Sequence, residues 1–224
     1  MLKNILIIGG TSGLGLELAR IYSLQGHTVF VTGRKNPNIP NLQFFNLPIT
    51  QDSDDLIKQI NNLLLKIKRI NTLIYAAGFY QEGRIDTLDD KQILEIINVN
   101  LTAPALLIQR LKNNPGKPLK IMIITSSSQY TPRELEPVYT AVKSGLGMLG
   151  ASLSLDKEIG KVVVVAPSGM KTPFWDKNKD TSGYLEPKWV ADKIIDLSSG
   201  KFKYRFAKIL RSPERVEIVE TRQG

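Results

Sequence analysis

The chain reads as an α/β protein: a doubly wound parallel sheet, covered by helices on both faces to make three layers, in a single domain. Three observations predict it. Short apolar runs alternate with helix-patterned segments six times along the 224 residues, the rhythm of βα crossovers. The first run, Asn4–Ile8, is continuously apolar after its asparagine rather than alternating, as a strand buried on both faces requires. A glycine cluster, Gly9-Gly10-Thr11-Ser12-Gly13-Leu14-Gly15, joins that run directly to the first helical pattern.

The elements follow in order. After strand Asn4–Ile8 comes a helix over Gly13–Gln25, with Leu14, Leu18, Ile21 and Tyr22 along one side, closed by Gly26-His27. Thr28–Thr32 and Leu42–Phe45 are strands two and three, separated by a loop over Asn36–Asn41 with Pro37 and Pro40. Asp52 caps a helix that runs to about Lys68, with Leu56, Ile60, Leu63, Leu64 and Ile67 at helical spacing. Thr72–Tyr75 is strand four, and Leu88–Leu111 is helical with an interruption near Pro104. Leu119–Thr125 is strand five, Pro137–Leu155 a helix, and Lys161–Val165 strand six. The segment 168–186 is irregular and longer than an ordinary connection, as a lid on the ligand side would be. Pro187–Leu197 is the last helix and Phe206–Leu210 a last, edge strand. The charged tail Arg211–Gly224 carries no readable pattern, so the domain is taken as residues 1–210.

Composition excludes several classes of chemistry. There is no cysteine, which removes disulfides, thiolate zinc sites and cysteine nucleophiles. His27 is the one histidine; it sits in a turn away from the carboxyl ends of the strands, so it reads as structural, and no metal site is expected. No apolar run approaches the ~18 residues of a membrane span, and the start lacks a secretory leader's longer apolar region, so a cytoplasmic protein without membrane contact is expected. The net charge is +9, from 30 Lys and Arg against 21 Asp and Glu. The short basic clusters, Lys66-Lys68-Arg69, Lys177-Lys179 and Lys201-Lys203-Arg205, form no continuous stripe with interleaved aromatics. A solvated basic surface that attracts an anionic ligand fits better than specific nucleic-acid binding.

Four features carry chemistry. The turn from Gly9 to Gly15 lets backbone N–H groups and a positive helix end approach a pyrophosphate. Tyr139 and Lys143 stand one helical turn apart on one face, so an ammonium beside the phenol is expected to lower its pKa from about 10. Strand five opens into Ser126-Ser127-Ser128, hydroxyls at the carboxyl end of a parallel strand, where ligands bind in such sheets. Pro104 lacks the N–H that would bond the carbonyl four residues back, leaving the Asn100 carbonyl free for a water; a plain kink, or a helix restart with Pro104 in its first turn, reads the same residues differently.

Over roughly residues 4 to 200 these motifs resemble the short-chain dehydrogenase/reductase family, whose glycine spacing of Gly9, Gly13 and Gly15 differs from the common dinucleotide fingerprint Gly-x-Gly-x-x-Gly. The resemblance implies a Rossmann-like fold and hydride transfer between a nicotinamide cofactor and a carbonyl or secondary alcohol of a small molecule. It assigns Tyr139 as acid/base and Lys143 to the nicotinamide ribose. Ser126, 13 residues before the tyrosine, would hydrogen-bond the substrate oxygen, and Asn100 would hold a relay water; Ser127 assists or caps a turn. Cofactor contacts are expected from Gly9, Thr11, Ser12, Gly13, Leu14, Gly15, Asn46, Leu47, Ala76, Ala77, Gly78, Pro167 and Thr172. An acid at the end of strand two would bind the ribose of NAD. Gly33-Arg34 stands there instead, which favours NADP. The chain departs from the family at Tyr75-Ala76, where it usually has Asn-Asn, at Asn46 where Asp is common, and at Ser168 where Gly is usual. A homodimer or homotetramer is implied, and Gly145, Gly147 and Gly150 suggest close approach of helices between subunits. Phe79, Tyr80, Tyr130, Phe174, Trp175 and Tyr184 line a substrate pocket or cover the core. A non-catalytic NADP-binding sensor on the same fold, and an epimerase or dehydratase, are the competing readings.

Overall fold

The computed structural model describes residues 2–67, 69–113, 119–175 and 178–224; the expected helix end at Lys68 and the basic Lys177 lie outside them. The strands are β1 (Asn4–Ile8), β2 (Thr28–Gly33), β3 (Leu42–Asn46), β4 (Thr72–Tyr75), β5 (Leu119–Ile124), β6 (Ile159–Pro167), β7 (Tyr204–Arg211) and β8 (Glu214–Arg222). The helices are α1 (Gly13–Leu24), α2 (Ser53–Lys66), α3 (Asp90–Ile97), α4 (Ala103–Lys112), α5 (Pro137–Leu153) and α6 (Pro187–Leu197).

One sheet carries all eight strands in the order β3-β2-β1-β4-β5-β6-β7-β8. The first seven are parallel, and β8 pairs antiparallel with β7. Strand β1 lies between β2 and β4, so the winding reverses there and opens a crevice at the carboxyl ends of the two strands. Alternate β1 residues feed separate cores. Ile5 and Ile7 pack with Leu14 and Leu18 of α1 and with Val190 and Ile194 of α6. Leu6 and Ile8 pack with Leu56 and Ile60 of α2, Leu107 of α4 and Leu146 of α5. Full burial of aliphatic side chains, worth about 1.5–3 kcal/mol each, holds the three layers together. Helix α2 starts where Asp52 accepts the N–H groups of Asp54 and Asp55, at 2.9 and 3.0 Å, and α3 starts at a capping box of Asp89 and Gln92.

Two expectations are corrected. The strand expected over Phe206–Leu210 is longer and is not the edge: residues 214–222, read as patternless tail, form β8 alongside it. Most of β8 is exposed, so backbone pairing holds it with little burial beyond Val216, and a short apolar stretch among so many charges is too weak a pattern to find. The interruption in the helix over 88–111 is a turn of π-helix, Asn98–Thr102, in which the Ala103 N–H bonds the Asn98 carbonyl five residues back. In that register the residue facing Pro104 is Val99 and not Asn100. The buried Tyr75 hydroxyl donates to the Val99 carbonyl, and Pro104 sits in the first turn of α4, where its missing N–H costs little.

The α5 glycines serve the chain's own packing. A Cβ on Gly147 would come within 2.4 Å of the Gln129 side chain, and one on Gly150 within 2.6 Å of Val164, so packing within the chain already requires both glycines. His27 accepts the Lys3 N–H at 3.3 Å and tilts against Tyr22, a structural role at the opposite end of β2 from the crevice.

Candidate functional site

The crevice is one cleft of about 1400 Å³, and it collects the glycine turn, the ends of β4, β5 and β6, and the start of α5. The turn is built for close backbone approach. Gly9 has φ +79°, and a Cβ there would lie 2.6 Å from the Ala77 nitrogen at the end of β4. Ser12 stands at the N-cap of α1 with extended backbone but makes no capping bond through its side chain, and the first turn holds no acid. The free N–H groups and positive end of α1 therefore face the cleft, a ready anion site. Thr172 packs its methyl over Gly13.

At the end of β2, Gly33 has no room for a side chain: an added Cβ would stand 2.1 Å from the Thr11 hydroxyl. Beside it Arg34 is exposed, borders the cleft and has no partner among the described residues. Leu47 is buried, lines the cleft and donates its N–H to the Gly33 carbonyl at 3.3 Å. Asn46 is exposed and does not line the cleft, against expectation: it is the last residue of β3, and its side chain alternates away from that of Leu47. Ala76, Ala77, Gly78 and Pro167 line the cleft as expected.

Ser126, Tyr139 and Lys143 converge in the same cleft. Ser126 precedes a single 3₁₀ turn, Ser127–Gln129; its hydroxyl oxygen accepts the Ser128 N–H at 3.1 Å. Lys143 is buried, reaches the Ile124 carbonyl at 3.5 Å and holds its Nζ 5.5 Å from the centre of the Tyr139 ring. Asn100 is fully buried behind them and donates through Nδ2 to the carbonyls of Phe79 and Ile96, at 2.8 and 2.9 Å. Its Oδ1 is buried with no hydrogen-bond partner, and a Cβ built on Gly78 would lie 3.6 Å from it and 3.7 Å from Lys143 Nζ.

The electrostatics differ from the simple pairing expected of Tyr139 and Lys143. Burial pushes Lys143 down to about 7. Burial likewise raises Tyr139 above the usual phenol range; a hydrogen bond with Ser126 pulls it partway back, while Glu136 and Arg133 act in opposite senses. The lysine stands over the ring and not at the hydroxyl, so burial wins.

Sequence reasoning missed a polar cluster at the mouth. Glu136, at the N-cap of α5, accepts from the Ser128 hydroxyl at 2.7 Å and pairs with Arg133 at 3.6 Å. The Tyr80 hydroxyl reaches Glu136 at 3.4 Å and Glu82 at 3.2 Å, and burial first, then those two carboxylates, raise its pKa. A glutamate three residues before Tyr139 and just before a helix-opening proline was the available signal. No group of metal-ligating residues exists among the described residues.

Comparison with known proteins gives consistent findings. The family model for short chain dehydrogenases matches residues 3–183. The chain is 26% identical over 166 residues to the 3-oxoacyl-acyl-carrier-protein reductase MabA of Mycobacterium avium, covering 73% of this chain and 64% of that one. It is 23% identical over 208 residues to the 3-oxoacyl-acyl-carrier-protein reductase FabG of Chlamydia trachomatis, covering 84% and 81%. In fold it is similar to a short chain dehydrogenase family protein of Francisella tularensis (TM-score 0.80, 20% identity, 93% and 97% covered) and to ElxO with NADP bound (TM-score 0.75, 22% identity, 93% and 97% covered).

Proposed function

Since the chain belongs to the short-chain dehydrogenase family, we propose that it is an NADP-dependent oxidoreductase that reduces a carbonyl of a small molecule to a secondary alcohol, or the reverse. The observation that carries the reading is the convergence of Ser126, Tyr139 and Lys143 in a cleft continuous with the glycine turn. The residues fit a dinucleotide. The first turn of α1 is left uncapped for phosphates, Gly33 puts no acidic side chain at the end of β2, and the Asn100 Oδ1 is a buried acceptor still wanting a donor.

Gly9, Thr11, Ser12, Gly13, Leu14 and Gly15 would hold the pyrophosphate; Leu47, Ala76, Ala77 and Gly78 would flank the adenosine and nicotinamide halves, and Pro167 and Thr172 the nicotinamide end. Arg34 offers its guanidinium fork to a 2′-phosphate, with no acid at Gly33 to repel it. When bound, the cofactor supplies or accepts the hydride. Ser126 hydrogen-bonds the carbonyl oxygen and Tyr139 gives it a proton. A phenol kept neutral by burial is the form that donates, which suits reduction. The Lys143 ammonium then stabilises the phenolate, with the Asn100 Oδ1 able to hold that ammonium or a water beside it. Keeping both Tyr139 and Lys143 favours an enzyme over a sensor built on the same fold. The family's habit of assembly supports a homodimer or homotetramer, to be checked by light scattering. Among the described residues no helix is long and apolar enough to cross a membrane.

The test is consumption of NADPH and NADH with a panel of ketones. The expected result is turnover with a preference for NADPH, and Arg34→Ala raising the NADPH KM about tenfold with little change for NADH. No turnover of any ketone, or an Arg34→Ala effect shared equally by both cofactors, would contradict the reading.

A further inference from the structure

The cleft continues beyond the catalytic phenol as a row of rings. Tyr80 and Phe174 stand 5.2 and 6.4 Å from the Tyr139 ring, centre to centre. Trp175 is edge-on to both, at 5.5 and 5.1 Å, and Tyr184 lies 5.3 Å beyond Trp175. The row ends on a cation: the Arg211 guanidinium lies 4.9 Å from the centre of the Tyr184 ring. All six residues line the one cleft.

The row is held in place. Leu185 is fully buried; its N–H bonds the Gly169 carbonyl at 3.0 Å, and its carbonyl accepts from Lys171 at 2.9 Å. Trp175 Nε1 donates to the Met170 carbonyl at 2.9 Å, and the Tyr184 ring sits so close to Gly169 that a Cβ there would meet it at 2.7 Å. Arg211 is carried on the last residue of β7, a strand paired on both sides.

Charge singles out Arg211. At this end of the cleft Glu82 pairs with Lys179 at 3.7 Å, Glu134 with Arg84 at 3.4 Å and Glu136 with Arg133 at 3.6 Å. Arg211 has no acidic partner among the described residues and is exposed. A guanidinium over a ring with no acidic partner still has N–H groups to offer, and its fork matches a carboxylate in a two-pronged contact.

We propose that Arg211, seated on Tyr184, binds a carboxylate at the far end of the substrate, whose apolar or aromatic body lies along Tyr184, Trp175, Phe174 and Tyr80 with its ketone at Tyr139. The substrate class is thus the oxo-acid with an apolar spacer. This rests on the oxidoreductase reading above and adds the identity of the substrate's second group.

The experiment pairs 4-acetylbenzoate and 4′-acetylbiphenyl-4-carboxylate with their methyl esters, as ketones for NADPH consumption. Melting shifts are read on the same four compounds with and without NADP. One acid is expected to exceed its ester at least tenfold in kcat/KM, with the gap shrinking as salt rises. Arg211→Gln should bring acid and ester to within about twofold, and Arg211→Lys should recover part of the gap. Esters turned over as well as the acids, or a preference that survives Arg211→Gln in a variant with the wild-type circular dichroism spectrum, overturns the proposal while leaving the oxidoreductase reading intact. If no ketone is turned over, that reading fails and the melting shifts decide. Larger shifts by the acids that vanish in Arg211→Gln uphold an oxo-acid site; equal shifts by acids and esters refute it.

Discussion

Lys143 ties the site to the stability of the chain. Its pKa is pushed to about 7 by burial, against an ordinary 10.5, so between those values the unfolded chain holds a proton that the folded chain lacks. Unfolding therefore takes up protons, and stability rises with pH across that window and falls as pH drops through it. Lys120, pushed to about 8 by burial and by Lys161, acts in the same sense over a narrower range. Urea unfolding of the cofactor-free protein at a series of pH values from about 7 to 10 should show this rise, and Lys143→Met should remove the larger share of it. A slope unaltered by Lys143→Met would mean the ammonium is solvated in the native state. That Tyr139, Lys143 and Ser126 share one cleft was legible in the sequence because they stand at fixed spacing on a helix face and at the end of a buried strand. Asn46 and Glu136 were not, since whether a side chain at an element's end points into a cleft depends on the local backbone and not on its identity.

At the scale of elements, the π-helical turn at Asn98–Thr102 is the least expected feature, and it explains Tyr75. The five-residue register leaves the Val99 carbonyl facing Pro104, which has no N–H to give, and the Tyr75 hydroxyl takes its place. Tyr75→Phe should leave that carbonyl buried and unsatisfied, costing about 1–3 kcal/mol of stability. It should also lower kcat more than it raises KM, through Asn100 next door. Adding Pro104→Ala to Tyr75→Phe restores an N–H in the right register and should recover part of both losses. A double variant no better than the single one would contradict this account of the turn. The proline marked the interruption in the sequence, but the choice between a four- and a five-residue register depends on a tyrosine two dozen residues earlier, which no local pattern reports.

The whole molecule was legible through α6 and most of β7 because buried parallel strands and capped helices write their periods into the sequence; β8 was not, because it is held mainly by pairing and buries little. Covering β7 matters to the assembly all the same. A chain ending at Arg211 would expose the β7 edge, and it should melt several degrees lower and aggregate on concentration, as seen by light scattering; a truncated chain that melts with the full one would show β8 to be dispensable. The sheet order puts the crevice between β1 and β4, and strands β5 and β6 with helix α5 bring Ser126, Pro167, Tyr139 and Lys143 to its wall. The central claim is that Tyr139 is the proton donor in that wall. Its most direct test compares wild type with Tyr139→Phe for NADPH consumption on a ketone that the wild type reduces, with NADPH binding followed by fluorescence in parallel. The account predicts a fall in kcat on the order of 10²–10⁴ with binding preserved. Equal rates in the two proteins would contradict it.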